Sequence, residues 1–207
     1  MNKLTIKAAG FLLSSGCLVL TGCFGLFKPD ASAARHFILT PVARATPGAA
    51  APPLAMGVGQ VKVPNYLFES SIAVRKGTNE VGYLPMILWA ERLDAGLQRV
   101  LAANLAALLP ADQVRLSAWQ SNEVAAGVYV TIEQFDVDAG GHGVLAAWWR
   151  IMSPDGAHLL KAGQTRLTRD GPPPASDPQG AVANLSELIG ELSRQLAPAI
   201  REATVRR

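Results

Sequence analysis

At 207 residues, 49% apolar and 17% charged, with a formal net charge of +3, the chain can bury a sizeable core but lacks the clustered cationic excess of a nucleic-acid-binding domain. Two of its lysines, Lys3 and Lys7, belong to an N-terminal export signal, so a chain beginning at Cys23 keeps 207 − 22 = 185 residues and a charge of about +1. Cys17 leaves with that signal and Cys23 is then the last cysteine, which excludes an intramolecular disulfide and puts the burden of stability on the core.

The signal consists of the two lysines, an apolar run over residues 8–20, and the box Leu20-Thr21-Gly22-Cys23. The run is shorter than the ~20 residues of a membrane-spanning helix, which argues against an uncleaved anchor. Small residues directly before a cysteine are what a diacylglyceryl-transferring enzyme requires, so Cys23 is read as a lipidation site rather than a chance cysteine in an ordinary leader. Residues 23–34, with Gly25, Pro29 and several small side chains, read as a tether, and residues 35–203 as one folded domain with a tail at 204–207. Phe24 stands where an aspartate commonly retains lipoproteins in the inner membrane, so the expected location is the periplasmic face of the outer membrane.

Residues 35–39 read as a first short strand before Pro41, and the Ala- and Pro-rich residues 43–53 as a surface loop. Residues 56–64 alternate, with Met56, Val58, Val61 and Val63 inward and a bulge at Gly59-Gln60. Strands follow at residues 71–75 and 81–84, joined by a turn at 76–80. Residues 89–109 read as a helix, because Leu93, Leu97, Val100, Leu101, Leu105 and Leu108 recur at helical spacing and Pro110 ends the pattern.

After a strand at 114–117, Val128, Val130 and Ile132 face one way and the phase then moves to Phe135 and Val137, so a bulge is expected near Gln134. Leu145, Ala147, Trp149 and Ile151 form the matching face of the next strand, and the turn Ser153-Pro154-Asp155-Gly156 leads into a third strand over 157–168. Asp177 and Pro178 cap and open a last helix with the stripe Val182, Leu185, Ile189, Leu192, Leu196 and Ile200, which Pro198 is expected to kink or end. The fold class is α+β: a twisted, mainly antiparallel sheet with two long helices on one face, in a single domain.

Val63-Pro64-Asn65-Tyr66-Leu67, Ile72-Ala73-Val74-Arg75, the segment from Trp89 through Arg99-Val100-Leu101-Ala102-Ala103-Asn104-Leu105, and Thr131-Ile132-Glu133-Gln134-Phe135 together carry a resemblance. With the box at Cys23 they resemble the paraquat-inducible protein C family, also called YmbA-like or ABC-type transport auxiliary lipoproteins. The chain departs from the family at Arg92, where proline is frequent, and at residues 84–88, where the family has a more polar, aromatic-rich approach to the tryptophan. The resemblance implies an outer-membrane-anchored periplasmic subunit that docks an MCE-domain protein, works beside an inner-membrane transport component in lipid transport, and forms homo-oligomers. A lipid- or small-molecule-binding carrier is the alternative, and a periplasmic hydrolase a more distant one.

No catalytic constellation stands out in the sequence. His36, His142 and His158 have no metal-ligand spacing, and Gly57-x-Gly59 lacks the third glycine of a dinucleotide loop. Asp136 and Asp138 share a strand face beside a glycine turn and read as a solvated strand end. No catalytic residue, metal or cofactor is therefore expected, apart from covalent lipid on Cys23. Trp89 and Trp148 are the candidate partner contacts: Trp89 reads equally as a packing anchor, and Trp148 points away from the core, where a covering helix is the plainer expectation.

Overall fold

A computed structural model describes residues 33–44, 55–109 and 114–205. Cys23, most of its tether, the signal and the greater part of the expected loop lie outside the described residues. In chain order the elements are β1 (Arg35–Phe37), β2 (Met56–Val58), a 3-10 turn at Asn65–Phe68, β3 (Ser71–Arg75), β4 (Val81–Trp89), α1 (Leu93–Leu108), β5 (Val114–Leu116), β6 (Ala126–Asp138), β7 (His142–Met152), β8 (Leu159–Asp170) and α2 (Pro178–Val205).

The eight strands form one open, mixed sheet, and the α+β expectation holds. Its long ladders, β6 with β7 and β7 with β8, are antiparallel hairpins, as is β3 with β4. Shorter parallel pairings join β1 to β4, β2 to both β5 and β6, and β3 to the far end of β6. These parallel partners are distant in the chain, so local alternation carries no signal for them.

Three bulges set which side chains face inward. Ile132 opposes Ala147 and Gln134 opposes Ala146, so Glu133 is the extra residue in β6, one position from where the phase change predicts it. From Val58 opposite Val128 to Lys62 opposite Thr131, the first segment advances four residues and β6 three, which places the expected irregularity at 59–61. In β4 the pairing moves from Ala73 opposite Tyr83 to Ser71 opposite Leu88, so β4 advances five residues against two. Pro85, which has no N–H for a ladder, sits in this bulge beside Met86 at φ 58°.

That bulge explains the main difference from the expected elements. β4 continues to Trp89 rather than stopping at Leu84, and α1 starts at Leu93 rather than Trp89. The Trp89 N–H donates to Ser70 O at 2.7 Å and the Ala90 N–H to Phe37 O at 2.8 Å, so flanking chain on both sides holds this stretch extended against its helical periodicity. From Leu93 onward the stripe behaves as predicted, with Leu93, Leu97, Val100, Leu101 and Leu105 all buried.

α2 is capped as expected, the Asp177 carboxylate accepting the Gly180 N–H at 2.9 Å. Pro198 does not end it: Ala199, Ile200 and Ala203 beyond it are buried, and the helix runs through Thr204 to Val205. Tertiary packing outweighs the one backbone bond a proline removes. Both helices lie on the sheet face that carries Val128, Val130, Ile132, Phe135, Leu145 and Ile151. A smaller cluster, Ile72, Val74 and Leu84, packs against Val182 near the start of α2.

The segment after β1 is tied to both helices. Asn104 Oδ1 accepts the N–H groups of Val42 and Ala43 at 2.9 Å, Ser186 Oγ accepts the Thr40 N–H at 3.2 Å, and Leu39 is buried in the main core. Leu105 sits fully buried beneath this arrangement. Replacement by alanine leaves a cavity in a close-packed interior, and Leu105→Ala is expected to lower stability by about 2–5 kcal/mol in urea denaturation. A loss below about 1 kcal/mol would show that α1 is not the packing element described here.

Candidate functional site

The sheet has two faces, and the helices occupy one. The other carries three cross-strand rows: Asp136, Val144 and Thr168; Gln134, Ala146 and Arg166; Thr131, Trp148 and Gln164. Trp148 lies here 50% exposed. Among the described residues no helix covers it as expected, because the apolar stripes of α1 and α2 both match the opposite face. Its indole N–H donates to Glu133 Oε1 at 2.7 Å, and Gln164 Nε2 donates to Glu133 Oε2 at 3.3 Å. The bulge residue of β6 thus fixes the orientation of the exposed ring.

Beside Trp148 the face opens into a cleft of about 460 Å³, with Arg75, Glu133, Gln134, Asp136, His142 and Arg166 among its walls. Asp136 was expected as part of a solvated strand end, but it is 1% exposed. It accepts bonds from Arg75 Nη2 at 2.5 Å, Tyr66 Oη at 3.0 Å and Gln134 Nε2 at 2.8 Å. A buried carboxylate needs this many donors to offset its lost hydration. The Tyr66 hydroxyl also accepts the Phe135 N–H at 3.3 Å, and the Arg75 guanidinium lies 5.7 Å from the centre of the Tyr66 ring. Burial, and next the charge of Asp136, pushes the Tyr66 phenol up to about 12.

Trp89 is not brought together with Trp148. It ends β4, which β3 and β6 separate from β7, and it packs against both core clusters. Its outer side borders a second cleft of about 240 Å³ with Phe68, Ser70, Arg92 and Leu93. The Arg92 guanidinium stands 5.3 Å above the Phe68 ring there.

The family described as ABC-type transport auxiliary lipoprotein component matches residues 37–197, from the end of β1 to within α2. The chain belongs to this family. Among solved structures, an uncharacterized protein superposes with a TM-score of 0.63 at 22% identity, covering 80% of this chain and 97% of its own. A protein of the DUF330 family from Xanthomonas campestris gives 0.64 at 11% identity, covering 78% of this chain and 92% of its own. At these identities the likeness concerns the fold. No curated protein matches the chain.

In this auxiliary lipoprotein a further tryptophan, Trp119, shapes the open face. Trp119 lies flat over Gly57 and Gly127, which oppose each other in β2 and β6; a Cβ there would fall 2.5 Å and 2.7 Å from the indole. Its ring is 5.9 Å from that of Tyr129, and its N–H reaches Pro154 O at 3.3 Å. The signal was available, since two glycines within strands imply a close approach. The partner was not, because residues 117–125 have no periodicity.

The histidines stay apart. His142 Nδ1 lies 2.6 Å from Asp170, the His158 N–H bonds to Ser153 Oγ in the tight turn, and His36 is exposed on β1. Among the described residues there is no group of three His, Cys, Asp or Glu side chains able to hold a metal ion, and no helix is long and apolar enough to cross a membrane.

The Tyr66 contacts give a signed pH prediction. Tyr66→Phe removes the donor to Asp136 and the acceptor of the Phe135 N–H, and is expected to lower stability by about 2–3 kcal/mol below pH 10. Because the phenol titrates at about 12 in the folded chain against 10.0 ordinarily, the folded state holds its proton longer and wild type loses stability as pH rises through that interval. The phenylalanine variant has no such group, so the gap in urea midpoint narrows toward pH 12. A gap that stays constant would mean the phenol titrates alike in both states.

Proposed function

We propose that this lipoprotein is a docking subunit of an ABC-type transport system: a non-enzymatic domain tethered through acylated Cys23 to the periplasmic face of the outer membrane, with an MCE-domain protein as its partner and an inner-membrane transport component beyond it. The observation that carries the reading is Trp148, a large aromatic held half exposed by Glu133 on a sheet face that the helices leave open. Exposed aromatics of this kind anchor protein interfaces and supply a disproportionate part of their binding energy. The family match supports a transport-associated role, and the resemblance of the Trp89 to Leu105 segment to paraquat-inducible protein C supports the MCE partner and lipid cargo.

Trp89 serves in this reading as the packing anchor of its corner, with Trp148 as the contact residue. The carrier alternative calls for a deep apolar pocket. The larger of the two clefts described is instead lined by Arg75, Glu133, Asp136, Asp138, His142 and Arg166 beside Val144, which supports docking over carrying.

Wild type and Trp148→Ala are purified from membranes in mild detergent and probed for co-purifying MCE-domain protein. The tryptophan variant is expected to weaken the association by about 30-fold, as an interface anchor worth ~2 kcal/mol requires. If wild type brings down no MCE-domain protein, the docking mechanism fails. Cys23→Ala is expected to leave the outer-membrane fraction, and its retention there would remove lipid as the anchor.

A further inference from the structure

The described residues expose eight large apolar side chains, and four of them, Ile38, Phe68, Tyr83 and Met86, gather at the β1–β4 edge. The segments that carry them are joined by hydrogen bonds and strand pairing. The Tyr83 hydroxyl donates to Tyr66 O in the turn that carries Phe68, the Trp89 N–H donates to Ser70 O, and Ile38 follows Phe37, which pairs with Trp89. Met86, forced outward by the β4 bulge with φ 58°, precedes Ile87, the partner of Arg35. Two guanidinium groups sit over aromatic rings in the same corner: Arg35 is 5.1 Å from the Phe37 centroid, and Arg92, which is paired with Asp94 at 2.8 Å, is 5.3 Å from that of Phe68.

The chain enters the domain at this corner, since β1 is its first element and Arg35 lies opposite Ile87. Only residues 24–34 separate it from Cys23, a reach of at most ~40 Å when fully extended. This corner thus lies at the root of the tether, within that reach of whatever bilayer receives the acyl chains. Its composition fits that neighbour: a thioether, three aromatic or aliphatic groups, and the Arg35 guanidinium on an apolar stem beside the Phe37 ring.

We propose that Ile38, Phe68, Tyr83 and Met86 form a membrane-contact surface that rests in the headgroup and acyl boundary of the bilayer carrying the Cys23 lipid. The proposal rests on the reading of Cys23 as the anchor. The acyl chains supply affinity and the corner supplies orientation. With β4 at the bilayer, β7 stands three strand spacings away, roughly 14 Å, so the Trp148 face is lifted clear for its partner.

The test uses the full acylated chain in vesicles of phosphatidylethanolamine and phosphatidylglycerol. Because the Cys23 thiol is consumed, single cysteines at Met86→Cys, Phe68→Cys and, as a distant control, Leu159→Cys accept a nitrobenzoxadiazole probe uniquely; Leu159 is 58% exposed at the start of β8. Probes at 86 and 68 are expected to gain emission several-fold with a blue shift on reconstitution, and to lose it when the lipids carry brominated acyl chains. The probe at 159 should do neither. Vesicle-bound protein whose 86 and 68 probes behave like that at 159 overturns the contact while leaving the anchor intact. Enhanced emission that brominated lipid does not quench assigns the surface to another protein copy and also overturns it. Protein that fails to float with the vesicles overturns the anchor reading, and the contact with it.

Discussion

Because β6 runs through the middle of the sheet, both of its edges present N–H and C=O groups that water cannot reach, and leaving any of them unpaired carries a penalty of order 1–3 kcal/mol. How those edges are satisfied positions much of the remaining chain. β7 takes one edge along its length. The other edge is divided: β2 pairs at residues 126–128, Lys62 bridges to Thr131, and β3 takes Val137 and Asp138. Between them the Phe135 N–H is taken by the Tyr66 hydroxyl rather than by a backbone carbonyl. A side chain completes the ladder where two short parallel strands leave a gap.

The same gap accounts for the buried polar cluster. Tyr66 reaches β6 only because the 3-10 turn at Asn65–Phe68 brings it there, and a phenol donating toward the sheet needs an acceptor, which Asp136 supplies. Asp136 in turn needs a cation, and Arg75, last in β3 and paired in register with Asp138, stands next to it. The Glu133 bulge belongs to the same economy of positions. By shifting the phase it sends Phe135 and Val137 to the core, turns Asp136 to the open face, and leaves an extra carboxylate to hold Trp148. One inserted residue thus sets both the core register and the orientation of the exposed tryptophan.

What could be read from the chain divides along the same physical line. The stripes of α1 and α2, the Asp177 cap, the β6–β8 meander and the bulge in β6 are local patterns of period 3.6 or 2, and each appears in the structure where those patterns place it. The start of α1 was misplaced because Trp89 and Ala90 obey partners near Ser70 and Phe37, which no window around residue 89 contains. Asp136 was read as solvated for a related reason: its donors come from residues 66 and 75, about 60 to 70 positions away. The open face itself was half legible. Alternation placed Trp148 off the core, but which face the helices would take is a global choice made by both stripes together.

That choice bears on why an aromatic is tolerated on the open face at all. A bare sheet face in an antiparallel meander is ordinarily polar, and this one is polar in its Asp136, Gln134, Arg166 and Gln164 positions. Trp148 departs from the pattern, yet its one polar atom is satisfied by Glu133, so the exposed part of the ring is its apolar surface. An indole left simply to fill space would not need its N–H pinned by a bulge carboxylate that also holds Gln164. The β4 corner shows another arrangement, in which exposed apolar side chains lie beside guanidinium groups stacked on rings, that of Arg92 being also paired with Asp94 at 2.8 Å.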